Sequence, residues 1–277
     1  MIDLHCHSTA SDGRLRPGEV VARAAQAGVR RLALTDHDTT AGLAEARDVA
    51  DRVDVRLIAG VEISVTWQKR TLHVVGLGFD ADDPGLSAGL AELQQARDHR
   101  ARAIAQKLSR LGLDDGYERA CRLADGGQIA RPHFARLLVE DGLCKDMNQA
   151  FKRYLRPGKP GHRSIQWAGL DDAIGWIHGA GGIAVLAHPF GYGFSAAWRR
   201  RAVAAFADAG GHALEICTGT TERSQEITAA AHAREHGLLG SVGSDFHAPE
   251  QFWLGLGRLR DLPSGVAPVW DDARLNV

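Results

Sequence analysis

A chain of 277 residues is long enough for one large α/β domain, or for one domain that carries a substantial insertion. Apolar residues make up 44% and charged residues 24%, which is typical of a globular protein with a sizeable core. The 33 Lys and Arg side chains balance the 34 Asp and Glu side chains, so a broad surface that coats nucleic acid is not expected. No apolar run approaches the roughly 20 residues that span a bilayer, and the N-terminus lacks a signal-peptide pattern. The four cysteines form no CxxC pair, and we therefore expect a cytoplasmic protein with reduced thiols and no membrane partner.

The chain opens with Asp3-Leu4-His5-Cys6-His7, in which two histidines stand two residues apart, and Asp12 follows. Residues two apart on a strand point to the same side, so His5 and His7 can reach one point together. Imidazoles with a nearby carboxylate are ligands that zinc, manganese and iron accept. Two histidines can also fall close together by chance in a chain that has 13 of them, so this stretch alone leaves both explanations open.

Short apolar runs then alternate with helical patterns along most of the chain. The predicted strands are 32–34, 56–60, 72–77, 182–187, 213–217 and 238–242. The predicted helices between them are 17–27, 40–53, 170–179, 196–209 and 222–235. This alternation predicts a parallel sheet with helices outside it.

The pattern changes between residues 86 and 165. Helical sequence covers 86–111, 117–123, 131–140 and 147–154, with no convincing strand between them. A loop rich in Pro and Gly follows at 156–161. We therefore predict that 86–165 is a helical insertion into the α/β domain.

Titratable side chains gather at six predicted strand ends, where chemistry concentrates in parallel α/β folds. These candidates are His5, His7, Asp12, His37, Glu62, His73, His188, Asp245 and His247. Without cations, nine such groups facing one opening would repel one another and lose their hydration. They are also more ligands than one ion can coordinate. Two or three divalent ions are implied. His37 could instead cap the helix that follows, and His73 could be an ordinary core histidine.

Five motifs, taken in order, resemble those of the polymerase-and-histidinol-phosphatase (PHP) phosphoesterases. They are His5-Cys6-His7, Thr35-Asp36-His37-Asp38, Glu62, Ala187-His188-Pro189 and Gly243-Ser244-Asp245-Phe246-His247. The resemblance implies an α/β fold, a distorted (β/α)7 barrel built from 1–85 and 166–277, with 86–165 forming a lid that binds substrate.

The same resemblance implies a centre of two or three ions, with Mn²⁺ expected and Fe²⁺ or Zn²⁺ as alternatives. His5, His7, Glu62 and Asp245 would hold one ion, and Glu62 would bridge to a second. The second ion would be completed by His73 and His188, and a third would be held by Asp12, His37 and His247.

Within the insertion, Arg131-Pro132-His133-Phe134-Ala135 and Gly158-Lys159-Pro160-Gly161 resemble one bacterial branch of the family. That branch includes 3′,5′-nucleoside bisphosphate phosphatases and enzymes that trim short RNA from its 5′ end. Residues 145–163 carry six basic side chains and one acid, which independently suggests a phosphate-binding lid. The side chains expected to contact phosphate or substrate are Arg131, His133, Arg156, Lys159 and Arg163.

The implied reaction is hydrolysis of the 3′-phosphate of nucleoside 3′,5′-bisphosphates, with short 5′-phosphorylated oligonucleotides as a further substrate class. A hydroxide generated at the metal centre would attack phosphorus, and His188 or His133 would protonate the leaving alkoxide. Three alternatives stay open: a 5′→3′ exoribonuclease on short RNA, a histidinol-phosphate phosphatase, and a non-catalytic metal-binding module. The net charge of −1 favours short single strands over long or duplex nucleic acid.

Overall fold

The computed structural model of the chain describes residues 1–251 and 254–275. Seven strands form one sheet in which sequence neighbours are also spatial neighbours. They are β1 (Ile2–Asp3), β2 (Arg31–Leu34), β3 (Arg56–Trp67), β4 (Arg70–Leu77), β5 (Ile183–Leu186), β6 (Ala213–Thr218) and β7 (Leu239–Gly243). The α-helices are α1 (Pro17–Gln26), α2 (Leu43–Ala50), α3 (Pro84–Ser109), α4 (Gly116–Ala124), α5 (Arg131–Glu140), α6 (Met147–Ala150), α7 (Leu170–Gly179), α8 (Ala196–Asp208) and α9 (Arg223–Glu235).

The sheet curls until its first and last strands meet. The backbone N–H of Leu4 donates to the carbonyl of Val242 over 3.0 Å, and Cys6 pairs with Phe246 just beyond the strand ends. Helices surround the strands, so the molecule is a nearly closed seven-stranded α/β barrel and the predicted fold class is confirmed. No helix within the described ranges has both the length and the apolar character needed to cross a bilayer.

The expectation of an all-parallel sheet is wrong at β4, which runs antiparallel to both β3 and β5. The reason is that β3 does not stop at Gly60 but continues to Trp67 and folds back through a tight hairpin. Gln68 and Lys69 form the hairpin turn with positive φ angles of 48° and 61°. Because β4 runs in reverse, its beginning lies at the same mouth as the carboxyl ends of the parallel strands.

This reversal changes the predicted positions of two candidate ligands. Glu62 lies inside β3, opposite Val75, and does not follow a strand end. His73 lies near the start of β4, opposite Ser64. Both residues still reach the mouth of the barrel, because the hairpin itself extends over it.

The chain between β4 and β5 is helical, as the sequence predicted, and has its own apolar core. The N-terminal part of α3 packs into the barrel core through Leu86, Leu90 and Leu93. The rest of α3 packs with α4, α5 and α6 around a second cluster that includes Leu108 and Phe134. The predicted helix at 147–154 is α6 followed by one π-helical turn, Phe151–Leu155. The precise limits of a separate insertion domain remain a prediction.

The end of the described chain packs against the opposite end of the barrel. Nη1 of Arg274 lies 3.0 Å from Nε2 of His212, and Leu275 is buried. Burial, followed by the charges of Arg274 and His178, lowers the pKa of His212 to about 4. The folded protein therefore favours a neutral imidazole at a position that titrates near 6.5 in the unfolded chain.

We expect His212→Gln to make stability less sensitive to acid. A depressed pKa contributes stability above the unfolded pKa, and this stability is lost as the pH falls from about 6.5 towards about 4. After allowance for partial exposure, the wild type should lose about 1 kcal/mol more than the variant between pH 7.5 and pH 5. Urea unfolding of chelator-treated protein measures this difference, with His99→Gln as the control for removing an exposed histidine. Equal losses in the wild type and His212→Gln would contradict the expectation.

Candidate metal centre

All nine titratable side chains singled out in the sequence converge at the mouth of the barrel. Each of the six imidazoles has a ring nitrogen 2.8–3.4 Å from a carboxylate oxygen of Glu62, Asp12 or Asp245. His5, His7 and Glu62 are fully or almost fully buried, whereas the side chains of Asp245 and His247 are 32% and 24% exposed. The cluster is therefore enclosed on the barrel side and open to solvent at the β7 side.

Glu62 lies at the middle of this cluster. Its Oε1 atom is 2.9 Å from Nδ1 of His73 and 2.9 Å from Nε2 of His188. Its Oε2 atom is 2.8 Å from Nδ1 of His37. Burial opposes ionisation of Glu62, but the charges of His73, His37 and His5 hold its pKa well below the usual range. A carboxylate that stays ionised among several imidazoles is suited to bridge two cations.

The ligand atoms form four overlapping groups in which all atoms lie within 4.8 Å of one another. These groups are His7/Asp12/His37/His247, His5/His7/Asp245, His5/Glu62/His188 and His37/Glu62/His73. The groupings only partly follow the three sets expected from the sequence: Asp12, His37 and His247 fall together, whereas His73 and His188 fall in separate groups, with His37 and His5 respectively.

Several atoms of the cluster are buried without a hydrogen-bond partner, namely Nδ1 of His7, Nδ1 of His37, Oδ1 of Asp12 and Oε2 of Glu62. His37 and Glu62 approach to 2.8 Å, yet their geometry does not make a hydrogen bond. Unpaired buried polar atoms are costly, and a divalent cation between them would satisfy their lone pairs. Burial disfavours a charged His247 imidazole, but the carboxylates of Asp12 and Asp245 raise its pKa to about 10. These carboxylates therefore favour positive charge at this point. The residues present therefore fit divalent ions.

Comparison with known proteins identifies the family. The profile of the PHP domain matches residues 3–178. The chain belongs to the PHP family. It is 45% identical to a 3′,5′-nucleoside bisphosphate phosphatase of Chromobacterium violaceum over 277 residues, which cover 100% of this chain and 97% of the relative. It is 46% identical to a 5′-3′ exoribonuclease of Haemophilus influenzae over 269 residues, which cover 97% of each protein.

A solved structure supports the same assignment. An amidohydrolase from Chromobacterium violaceum, solved with bound sulfate and without metal, superimposes with a TM-score of 0.92 at 46% identity. The match covers 98% of this chain and 94% of that structure. Similarity therefore extends through the PHP barrel and the helices between β4 and β5.

Three residues at this PHP mouth have a strained backbone. Asp38, His188 and Asp245 have φ angles of 51°, 25° and 56°, a left-handed region that non-glycine residues avoid. Surrounding contacts hold each of them, since Nε of Arg97 donates to Asp38 over 2.6 Å, the His188 N–H donates to Glu215 over 2.6 Å and the Asp245 N–H donates to the carbonyl of His5 over 2.9 Å. Such strain typically persists where the surrounding structure fixes side chains for function.

Glu215 is a part of the PHP mouth that the sequence analysis missed. It projects from β6 and is 2% exposed. Its Oε1 atom lies 3.0 Å from Nδ1 of His5, and its Oε2 atom accepts the backbone N–H of His188. A carboxylate behind a metal-binding histidine fixes the ring and its tautomer. The signal in the sequence was one acidic residue inside the apolar run Ala213–Thr218.

We expect Glu215→Gln to weaken metal binding about 10–100-fold. The amide oxygen would still accept from His188, but the NH₂ group would then face Nδ1 of His5. The proton of His5 would move to Nε2, the nitrogen that faces the other candidate ligands. Competition against a chelator measures the affinity, and Glu226→Gln, which alters a buried carboxyl group on α9, is the matched control. Unchanged affinity in Glu215→Gln would contradict this role.

The loop that carries Asp12 is fixed by a second buried carboxylate, Asp36. Its oxygens accept the backbone N–H of Ser8 over 2.8 Å and the hydroxyl groups of Ser8 and Ser11 over 2.6 Å each. Asp12 is therefore positioned by residues of the Thr35-Asp36-His37-Asp38 motif as well as by its own loop.

The residues expected to contact substrate divide into two sets. Arg131 and His133, on the first turn of α5, lie close enough to Asp12 for its charge to affect their pKa values. His133 is buried, and its Nδ1 atom accepts the backbone N–H of Ala130 over 2.9 Å. By contrast, Arg156, Lys159 and Arg163 are exposed in the loop after α6, and no ion pair involves them among the described residues.

Two arginines of α3 complete this rim and were also missed. Arg97 is buried and bridges Asp38 and the hydroxyl group of Ser64. Arg100 lies beside Arg97 and Arg131, and burial together with those two charges lowers its pKa to about 9. Arg97, Arg100 and Arg131 all line one small cleft. Neither Arg100 nor Arg131 has a carboxylate partner in the described part of the chain, so the cleft is suited to an anion.

Proposed function

We propose that this chain hydrolyses the 3′-phosphate of nucleoside 3′,5′-bisphosphates. The observation that carries the proposal is a nine-residue ligand cluster open on one side, with Arg131 and Arg100, which have no carboxylate partner among the described residues, near its Asp12 edge. The cluster suits phosphoester hydrolysis, and the arginines suit a second phosphate on the same substrate. The full-length similarity to a phosphatase and to an exoribonuclease supports this substrate class.

We assign the nine clustered residues as ligands of two or three divalent ions, with Mn²⁺ as the first candidate. Bound ions would acidify a water molecule and neutralise negative charge on the phosphoryl oxygens. Glu62 keeps the ligands of neighbouring groups together, because its two oxygens contact histidines from different strands. Glu215 holds the ring of His5 and the backbone of His188.

We assign Arg131 and Arg100 to the 5′-phosphate, and the exposed Arg156, Lys159 and Arg163 to its approach from solvent. In this arrangement the helices of 86–165 act as the lid. His133 is suited to donate a hydrogen bond to the leaving ribose oxygen, which then takes its proton from water, because burial lowers the pKa of His133 and its Nδ1 already accepts a hydrogen bond. The neutral ring therefore carries its proton on Nε2. His188 is the alternative donor, although its Nε2 lies 2.9 Å from Glu62.

Phosphate release from a panel of esters tests the proposal. Purified protein loaded with Mn²⁺, Fe²⁺ or Zn²⁺ is offered adenosine 3′,5′-bisphosphate, adenosine 3′-monophosphate, adenosine 5′-monophosphate and histidinol phosphate. We expect the bisphosphate to give the highest kcat/KM, with adenosine 5′-monophosphate as the product. Preferential release from histidinol phosphate would favour that rival activity. Tight metal binding without hydrolysis of any ester would favour a non-catalytic module.

A second candidate is stepwise removal of nucleotides from the 5′ end of short RNA. The similarity to a 5′-3′ exoribonuclease over nearly the whole chain favours it. The chemistry is shared, because both reactions break a bond between phosphorus and the ribose 3′ oxygen. A 5′-phosphorylated pentaribonucleotide should then yield 5′-mononucleotides one after another from the 5′ end. Internal cleavage, or a hydroxyl group required at the 5′ end, would argue against this activity.

A further inference from the structure

Beside the metal centre, the β3–β4 hairpin packs against the start of α8 and the loop before it. Six side chains at this junction form what we term the arginine–aromatic surface, namely Trp67, Arg70, Tyr192, Phe194, Trp198 and Arg201. All six are partly or fully exposed to solvent. The assignments made above for metal or phosphate binding use none of these residues.

The rings and guanidinium groups of this surface form a continuous stack. The Trp67 and Trp198 rings meet edge to face with centroids 5.7 Å apart. Arg70 lies over Trp198 at 4.6 Å and over Phe194 at 5.4 Å, measured from Cζ to the ring centroid. Arg201 lies over Trp198 at 4.6 Å. Stacking of a guanidinium group on a ring leaves its N–H groups free to bind phosphate oxygens.

Tyr192 connects this stack to the metal centre. Its ring centroid lies 5.2 Å from that of Phe194 and 5.1 Å from that of His188. Its hydroxyl group accepts the backbone N–H of His73 and donates to the carbonyl of Ala187, each over 2.9 Å. Arg70 precedes His73 by three residues on β4, which places it about 10 Å along the strand. The surface therefore begins at two of the candidate ligands and leads away from them.

The charge of this region is strongly one-sided. Residues 63–79 and 190–207 contain five Lys or Arg side chains and no Asp or Glu, in a chain whose net charge is −1. Within residues 1–251 and 254–275, none of these five cations takes part in an ion pair with a carboxylate. A surface that only packed α8 against the hairpin would not need this excess of positive charge.

We infer that the arginine–aromatic surface binds a single-stranded oligonucleotide as it leaves the metal centre. Bases stack against the exposed guanidinium groups of Arg70 and Arg201, which lie over the Trp198 and Phe194 rings, and the N–H groups of these arginines contact the phosphates. Stacking of this kind is tolerant of sequence, because every base has a π face. The inference rests on the proposed function, in which the nucleotide at the 5′ end lies on the side of Arg131 and Asp12. A nucleoside bisphosphate would extend no further than the metal centre, and only a longer oligonucleotide would reach the arginine–aromatic surface.

The test compares two substrates in the metal-loaded enzyme. We expect Trp198→Ala, and separately the pair Arg70→Ala with Arg201→Ala, to lower kcat/KM for a 5′-phosphorylated pentaribonucleotide about tenfold. Activity on adenosine 3′,5′-bisphosphate should stay within about twofold. Trp198→Phe should recover most of the loss. The matched control is Arg47→Ala with Arg52→Ala, which removes two exposed charges at or just after the end of α2.

Binding without turnover separates the inference from the proposed function. In the presence of EDTA, fluorescence anisotropy with the same oligonucleotide should show about tenfold weaker binding for the variants and a shallower salt dependence. Equal losses on both substrates, an equal loss in the control, or unchanged oligonucleotide binding would overturn the inference. If the wild type hydrolyses neither substrate but the binding difference holds, the proposed function fails and the surface assignment survives.

Discussion

Glu62→Gln is expected to lower phosphate release about 10³-fold, even when metal is supplied in excess. Glu62 offers both carboxylate oxygens to the cluster, and its neighbours belong to different strands, so no other side chain can replace it. The amide would place two N–H hydrogens among imidazole nitrogens and would carry no negative charge to attract a cation. The binding of at least one ion should weaken together with turnover.

Two measurements check this expectation. One is kcat for adenosine 3′,5′-bisphosphate, and the other is the rise in unfolding temperature on addition of Mn²⁺, which reports binding to the folded state. We expect Asp245→Ala and His247→Ala to behave in the same way as Glu62→Gln. Glu226→Gln is the control, because Glu226 is equally buried but pairs with Arg260 on the outside of the barrel. Turnover within tenfold of wild type in metal-saturated Glu62→Gln would contradict the assignment.

Arg131→Ala is expected to raise KM for adenosine 3′,5′-bisphosphate about 10–100-fold, with a smaller change in kcat. This is the loss expected when a guanidinium–phosphate hydrogen bond worth roughly 1.5–3 kcal/mol is removed. Adenosine 3′-monophosphate lacks the 5′-phosphate, so its KM should change little. Lys159→Ala should have a smaller effect, because Lys159 is exposed whereas Arg131 is half-buried beside Arg100.

The comparison between the two nucleotides is the decisive measurement for Arg131. Arg110→Ala, which removes an exposed arginine just after α3, controls for the loss of one positive charge. An equal rise in KM for the monophosphate would show that Arg131 acts on the reacting phosphate or on the fold. In that case the 5′-phosphate must be bound by other residues.

The convergence of the candidate metal ligands could be predicted because their spacing coincides with a change in local pattern. His5, His7, Asp245 and His247 stand where apolar runs give way to polar loops, and the seven-stranded barrel brings those ends together. The helices of the insertion were also predictable from composition. For example, the predicted range 131–140 coincides with α5, which begins with Pro132 in its first turn, a position that favours helix.

The reversal of β4 could not be predicted from alternation alone. An apolar strand followed by another apolar strand gives no sign of direction, and the turn at Gln68 and Lys69 lacks the glycine that usually marks a tight hairpin. Glu215 and Arg97 were missed for a different reason. Each lies inside a regular element, and its role becomes evident only when the partner residue, more than 50 positions away, is known.

The continuity of α3 leads us to expect a limit on the size of the substrates that can enter. This helix runs unbroken for 26 residues from the core of the barrel into the core of the insertion, and Arg97 ties its middle to Asp38. Bending it would disrupt packing at both ends, so we expect the width of the entrance to be set by the fold and not by the incoming molecule. A nucleic-acid double helix would then be too wide to enter. Because this exclusion would depend on width and not on charge, we expect it to be the same at low and at high salt concentration.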